Sequence, residues 1–133
     1  MYRVIYRMIY ILPWILFSLT IIYLSHQERI DFLDNTIYLS DKLIHFVAYF
    51  FYGLSIQFAL VNSNNYDRKK YFLLVILIGA LFGASDEIHQ YFIEGRSSEF
   101  LDWIADTLGV ATSLLIKNVV LWIKNRVGLI LNF

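Results

Sequence analysis

An uncharged run from Tyr71 to Ser85 leads directly into Asp86, Glu87, His89 and Gln90. As a helix, the uncharged part is about 22 Å long at 1.5 Å per residue, short of the roughly 30 Å hydrocarbon core of a bilayer. The following apolar segment has the same defect in mirror image, because only Thr107 to Ile116 is free of ionisable residues and Asp102 and Asp106 precede it. Two helices of such a chain cross a membrane only by carrying carboxylates into it. Each such group costs about 2.5–3.5 kcal/mol at the bilayer centre, so a cluster of them marks a buried polar site by default.

A bilayer is the natural solvent for the rest of the chain. Of its 133 residues, 59% are hydrophobic and 18% aromatic, more apolar surface than one soluble domain of this size can bury. With no Cys, disulfides, thiolate zinc sites and cysteine nucleophiles are excluded. The bilayer is the expected partner, and no nucleic acid is expected.

Four spans are expected, at about 8–25, 41–61, 71–93 and 101–123. Pro13 should kink the first by freeing the Ile9 carbonyl. Arg3 and Arg7 ahead of an apolar run also fit a secretory signal, but Tyr, Trp and Ile crowd the run and no small-x-small cleavage site follows. The turn from Asn62 to Asp67 ends span two, and Val127 to Phe133 is too short to span and should lie at the interface. Arg3, Arg7, Arg68, Lys69, Lys70, Lys117, Lys124 and Arg126 all fall on one side, eight of the eleven basic residues, whereas every acidic residue but Asp67 falls on the other. By the positive-inside rule the basic side is cytoplasmic. The expected architecture is all-α: an integral membrane, antiparallel four-helix bundle in one domain with both termini cytoplasmic.

Depth and helical phase bring the polar residues together. Asp86 lies about 10 Å below the outer end of its span, Asp106 about 8 Å and His45 about 6 Å. Asp41, His45 and Tyr49 share one helix face; Gly79, Gly83, Asp86 and Gln90 share another; Asp102, Asp106, Gly109 and Ser113 share a third. Small residues on these stripes let helices approach, so the stripes should face the bundle interior. Arg96 with Asp102, or Lys42 with Asp86, are candidate ion pairs. Glu28, Asp31, Asp34 and Glu99 read as solvated loop charges, His26 as interfacial, and Trp14, Trp103 and Trp122 as packing or belt residues.

The ordered set Asp41-Lys42-Leu43-Ile44-His45, then Ser85-Asp86-Glu87-Ile88-His89-Gln90, then Gly95-Arg96 with Asp102 after five residues and Gly109 beyond, resembles the VanZ-like membrane family. Ser25-His26-Gln27 sits where that family commonly has a Ser-x-Gln element. The resemblance covers nearly the whole chain and departs at Asp106, where the family more often has Asn. It implies a bacterial cell (plasma) membrane, multi-pass, and a possible link to glycopeptide resistance, since the family is named for a protein implicated in teicoplanin resistance. It also marks Lys42, His45, Glu87, Gln90, Arg96 and Asp102 as the core of the site.

Three functions remain open on the residues. In the first, the site binds an anionic lipid or a wall-precursor group, with Lys42 and Arg96 as charge-assisted donors and His45 oriented by Glu87. In the second, the chain is a membrane-embedded hydrolase or transferase, with His45 or His89 as base beside Glu87 and Asp86. A metal held by Asp86, Glu87, Asp102 and a His is a variant of this reading. No HExxH, GxSxG or Gly-rich phosphate loop is present to favour it. The third function is a structural or regulatory scaffold.

The orientation is testable on the natural Cys-free background. Single cysteines at Asp34 and Ser97 should react with an impermeant thiol reagent added outside the cell, and one at Asn64 should not. The opposite labelling pattern would invert the topology.

Overall fold

The structure is a computed structural model that describes residues 2–27, 37–60 and 67–130, with side chains described over 8–27, 41–60 and 67–127. Long stretches of Ile, Leu, Phe and Val become helix because a chain in hydrocarbon must satisfy its backbone polar groups internally. The helices are α1 (Tyr2–Ser25), α2 (Ile37–Leu60), α3 (Arg68–Tyr91), α4 (Phe100–Ser113) and α5 (Lys117–Ile130), with a tight 3-10 turn at Leu114–Ile116 joining the last two. Among the described residues four stretches are long and apolar enough to cross a membrane: Met8–Ser25, Asp41–Leu60, Arg68–Tyr91 and Phe100–Val127. Helix α1 runs through Pro13 without interruption. The segment expected to lie at the interface continues span four as helix to Ile130. Glu28, Asp31 and Asp34 lie outside the described residues.

Cross-helix contacts fix the directions. Trp14 Nε1 donates to Tyr52 Oη at 3.0 Å while the Tyr10 ring packs at a tilt against Phe58, so α1 and α2 run antiparallel. Tyr49 reaches Asp86 and Tyr71 reaches the Gln57 carbonyl, which sets α3 antiparallel to α2. Trp103 Nε1 donates to the Ala80 carbonyl at 2.9 Å, while Gly83 lies against Asp106 and Gly79 against Val110, so α4 runs opposite to α3 and alongside α2. The most extensive interface is this parallel pair, α2 on α4.

Small residues make that pairing possible. A Cβ built on Gly109 would collide with the backbone of α2 at the Phe46 carbonyl and the Phe50 amide, and one on Gly79 would overlap the Val110 side chain. Beside these contacts sits a core of Ile21, Tyr49, Tyr52, Ile56, Tyr71, Val75 and Val110. Deeper polar groups are also paired across helices: Gln57 Nε2 donates to both the carbonyl and the hydroxyl of Ser113 at 2.9 Å. Such interhelical hydrogen bonds average about 0.6 kcal/mol each in a membrane bundle. The outer faces are apolar, with Leu73, Leu81, Ile88 and Leu115 exposed, as a lipid-facing surface requires.

The two ends of the bundle differ in charge. At one end Lys117 lies 4.2 Å from the Tyr71 ring centroid and Arg68 lies over Phe72. The other end holds Asp41, Asp86, Glu87, Glu99, Asp102 and Asp106. Gly95, in the connection from α3 to α4, takes a φ of 76°, a left-handed conformation that suits glycine.

Gly109 is the position least able to accept a side chain, because its neighbours are backbone and not flexible side-chain ends. Gly109→Ala should destabilise the protein by about 1–3 kcal/mol, seen as a lowered thermal midpoint in detergent. Leu115→Ala on the lipid face should leave the midpoint unchanged.

Candidate functional site

The acidic end is assembled from the three stripes legible in the sequence, and the side chains on them are inward. His45, Tyr49, Asp86, Glu87, Gln90, Asp102 and Asp106 are all buried, the last two with 1% and 0% exposure. They form a continuous polar layer between α2, α3 and α4, extended by Ser25 of α1.

The layer has three connected parts. In the outermost, Lys42 Nζ lies 2.7 Å from Glu99 Oε2 and 2.6 Å from Asp102 Oδ1. Glu99 in turn donates its backbone N–H to Glu87 Oε2 at 2.9 Å. In the middle part, His45 Nδ1 is 2.9 Å from Asp106 Oδ1 and 4.0 Å from Glu87 Oε1. In the third, Tyr49 Oη and Gln90 Nε2 both donate to Asp86 Oδ2, at 3.3 and 3.2 Å, and Gln90 Nε2 also reaches Ser25 Oγ at 3.4 Å.

Several expectations are corrected by this geometry. Lys42 pairs with Asp102 and Glu99 and not with Asp86, so its ammonium is engaged at the head of α4. Glu99 is part of that bridge and not a solvated loop charge. Among the described residues no carboxylate lies in ion-pair range of the Arg96 guanidinium, so the pair with Asp102 does not form. The nearest acid to His45 is Asp106, one turn beyond Asp102. Asp86 and Glu87 are adjacent in sequence and therefore about 100° apart around α3, so they serve different neighbours. His89 lies apart from His45: its Nε2 is 3.4 Å from Nδ1 of His26 and the two rings stack at 5.5 Å. His26, expected at the interface, is exposed and has His89 as a neighbour.

A cleft of about 280 Å³ adjoins the layer, lined by Ile21, Leu24 and Ser25 of α1, by Asp41, Ile44, His45, Ala48 and Tyr49 of α2, by Asp86 and Gln90 of α3, and by Arg96. One wall is polar and the other aliphatic. Leu24 and Ile44 are exposed on the outer surface of the bundle, so the cleft opens where lipid would lie.

Among the described residues two triads can bring a nitrogen and two carboxylate oxygens to one point, all within 4.8 Å of one another: His45, Glu87 and Asp106, and Asp41, His45 and Asp102. Asp86, expected among the metal ligands, belongs to neither because Tyr49 and Gln90 hold it. Asp106, Tyr49, Glu99 and Ser25 complete the layer beyond the residues expected at its core. For Asp106 and Tyr49 the i+4 relation to Asp102 and His45 was the available signal, and for Glu99 there was none.

A sequence model of the VanZ/LLP1 family matches residues 3–121, a range that includes every residue of the polar layer and Arg96. No curated protein and no solved structure matches the chain. The family match over most of the chain, together with four helices fit to cross a bilayer, identifies a multi-pass membrane protein that belongs to the VanZ/LLP1 family.

Proposed function

We propose that this protein binds the anionic headgroup of a membrane amphiphile, a phospholipid or a lipid-linked wall precursor, at the outer leaflet of a bacterial plasma membrane. The observation that carries the reading is Arg96: a guanidinium on the wall of a cleft, with no carboxylate partner among the described residues, facing aliphatic surface that opens toward lipid. A planar guanidinium is suited to bidentate phosphate contact. Asp41 and Asp86 on the same cleft would repel a bare phosphate but accept hydrogen bonds from hydroxyls, which favours a headgroup with glycerol or sugar beside its phosphate. Gln90 and His45 add polar contacts, and Ile21, Leu24, Ile44 and Ala48 suit the acyl or prenyl chain. Lys42 serves in this reading by fixing Glu99 and Asp102, and through them Glu87.

A second reading, a hydrolase or transferase on the same lipid, is favoured by one observation: the buried His45–Asp106 pair at 2.9 Å, an arrangement suited to general-base work. Catalysis and simple retention differ in what happens to the lipid. In this reading His45 is the base, and Asp106 takes the orienting role that Glu87 or Asp86 was expected to play.

Purified protein in detergent should retain phosphatidylglycerol or a polyprenyl phosphate in preference to phosphatidylcholine, read by native mass spectrometry. Arg96→Ala should weaken that retention by about 10-fold or more, the worth of a charge-assisted hydrogen bond. Arg96→Lys should recover only part of it, and Leu115→Ala should bind as the natural protein does. Equal retention by the natural protein and Arg96→Ala would overturn the reading and leave a scaffold, while turnover of the bound lipid would favour the enzyme.

The family setting adds a cellular expectation. Expression in a susceptible host should raise the teicoplanin concentration that halts growth, and Arg96→Lys and Glu87→Gln, both still inserted, should lose that effect. Full protection by both variants would separate the polar site from resistance.

A further inference from the structure

We infer that His45, Glu87 and Asp106 form a divalent-cation site of the zinc or manganese class within the membrane. Each residue comes from a different helix, α2, α3 and α4, and their three ligating atoms converge within 4.8 Å of one another. Around an ion with bonds of about 2.1 Å, ligand atoms stand roughly 3–4 Å apart. The observed separations from His45 Nδ1, 2.9 Å to Asp106 and 4.0 Å to Glu87, bracket that spacing.

A second, independent observation points to a ligand. Glu87 Oε1 accepts no hydrogen bond, although Glu87 is only 6% exposed. The open oxygen of Glu87 is the one that faces His45, while its other oxygen is held by the Glu99 amide. This is how a partner outside the coordination sphere orients a ligating carboxylate. Two buried carboxylates without a permanent cation are costly in a bundle interior. Lys42 is committed to Glu99 and Asp102. A divalent ion would neutralise both charges. A bound ion would take the Nδ1 lone pair of a neutral ring carrying its one proton on Nε2, and any further proton shared between Nδ1 and Asp106 would leave to solvent. One imidazole with two carboxylates suits zinc or manganese better than the soft ions that prefer sulfur. His45 also lines the cleft, which supplies an entry path.

The inference does not rest on lipid binding, and its test uses metal alone. Tag-free protein in detergent, stripped with a chelator and dialysed, is titrated with Zn2+ and, in parallel, Mn2+ against a fluorescent competitor, with bound metal measured by mass spectrometry. About one equivalent should bind, and Zn2+ or Mn2+ should raise the thermal midpoint. His45→Gln and Asp106→Asn should each weaken binding by at least about 10–100-fold, a loss that even outer partners of a bound metal produce, and should abolish the thermal shift. Glu94→Gln, an exposed carboxylate, should change neither. Asp106→Asn conserves shape, so it decides the matter if His45→Gln fails to fold. Failure of the natural protein to bind either metal, or undiminished binding by Asp106→Asn, would overturn the site.

Discussion

The absence of a side chain at Gly109 lets α4 lie against the backbone of α2, and the geometry of the polar layer follows from that approach. Because the two helices run in the same direction, their N-terminal ends sit side by side. Lys42 then meets Asp102 and Glu99, and His45 meets Asp106 one turn deeper. Had α4 been displaced by the width of a methyl group, contacts of 2.6–2.9 Å between side chains of fixed length would be lost. Backbone close approach in this bundle therefore governs electrostatics as much as packing.

The layer divides its charges unevenly. Asp102 and Glu99 have an ammonium, Asp86 has two hydrogen-bond donors, and Asp106 and Glu87 share one imidazole. Isolated ions at this depth would be expensive, so the order in which carboxylates are satisfied says which are structural. Asp86 accepts two hydrogen bonds and Asp102 Oδ1 has the Lys42 ammonium at 2.6 Å, whereas Glu87 Oε1 and Asp106 Oδ2 have neither a hydrogen bond nor an ammonium beside them. Arg96 is the complementary case, a cation on the cleft wall with no acid in range among the described residues. Arg96 lines the cleft, whereas the open oxygens of Glu87 and Asp106 lie in the bundle interior.

Much of this was legible in the sequence because period carries face. The repeats Asp41-His45-Tyr49, Gly83-Asp86-Gln90 and Asp102-Asp106-Gly109 correctly pointed inward, and the short uncharged cores correctly required carboxylates inside the spans. Period does not say which face meets which. That is why Lys42 was set against Asp86 and Arg96 against Asp102, and why Asp106 was left outside the core of the site despite its place on the stripe. Glu99 lies in the connection before α4, where no periodicity operates, and its role depends on a helix end brought near by α2. The meeting of His26 with His89 depends likewise on α1 and α3 being parallel neighbours, which local pattern cannot reveal.

The parallel pairing of α2 and α4 also sets an order for biogenesis. The partners of Lys42 and His45 lie 57 and 61 residues downstream. At about 5–20 residues per second of synthesis, the second helix waits roughly 3–12 seconds in the insertion machinery before the fourth arrives. During that interval α3 can already offer Asp86 to Tyr49, but Lys42 and His45 still lack their partners on the α4 side. The hairpin of α2 and α3 is thus an unfinished object until α4 joins it.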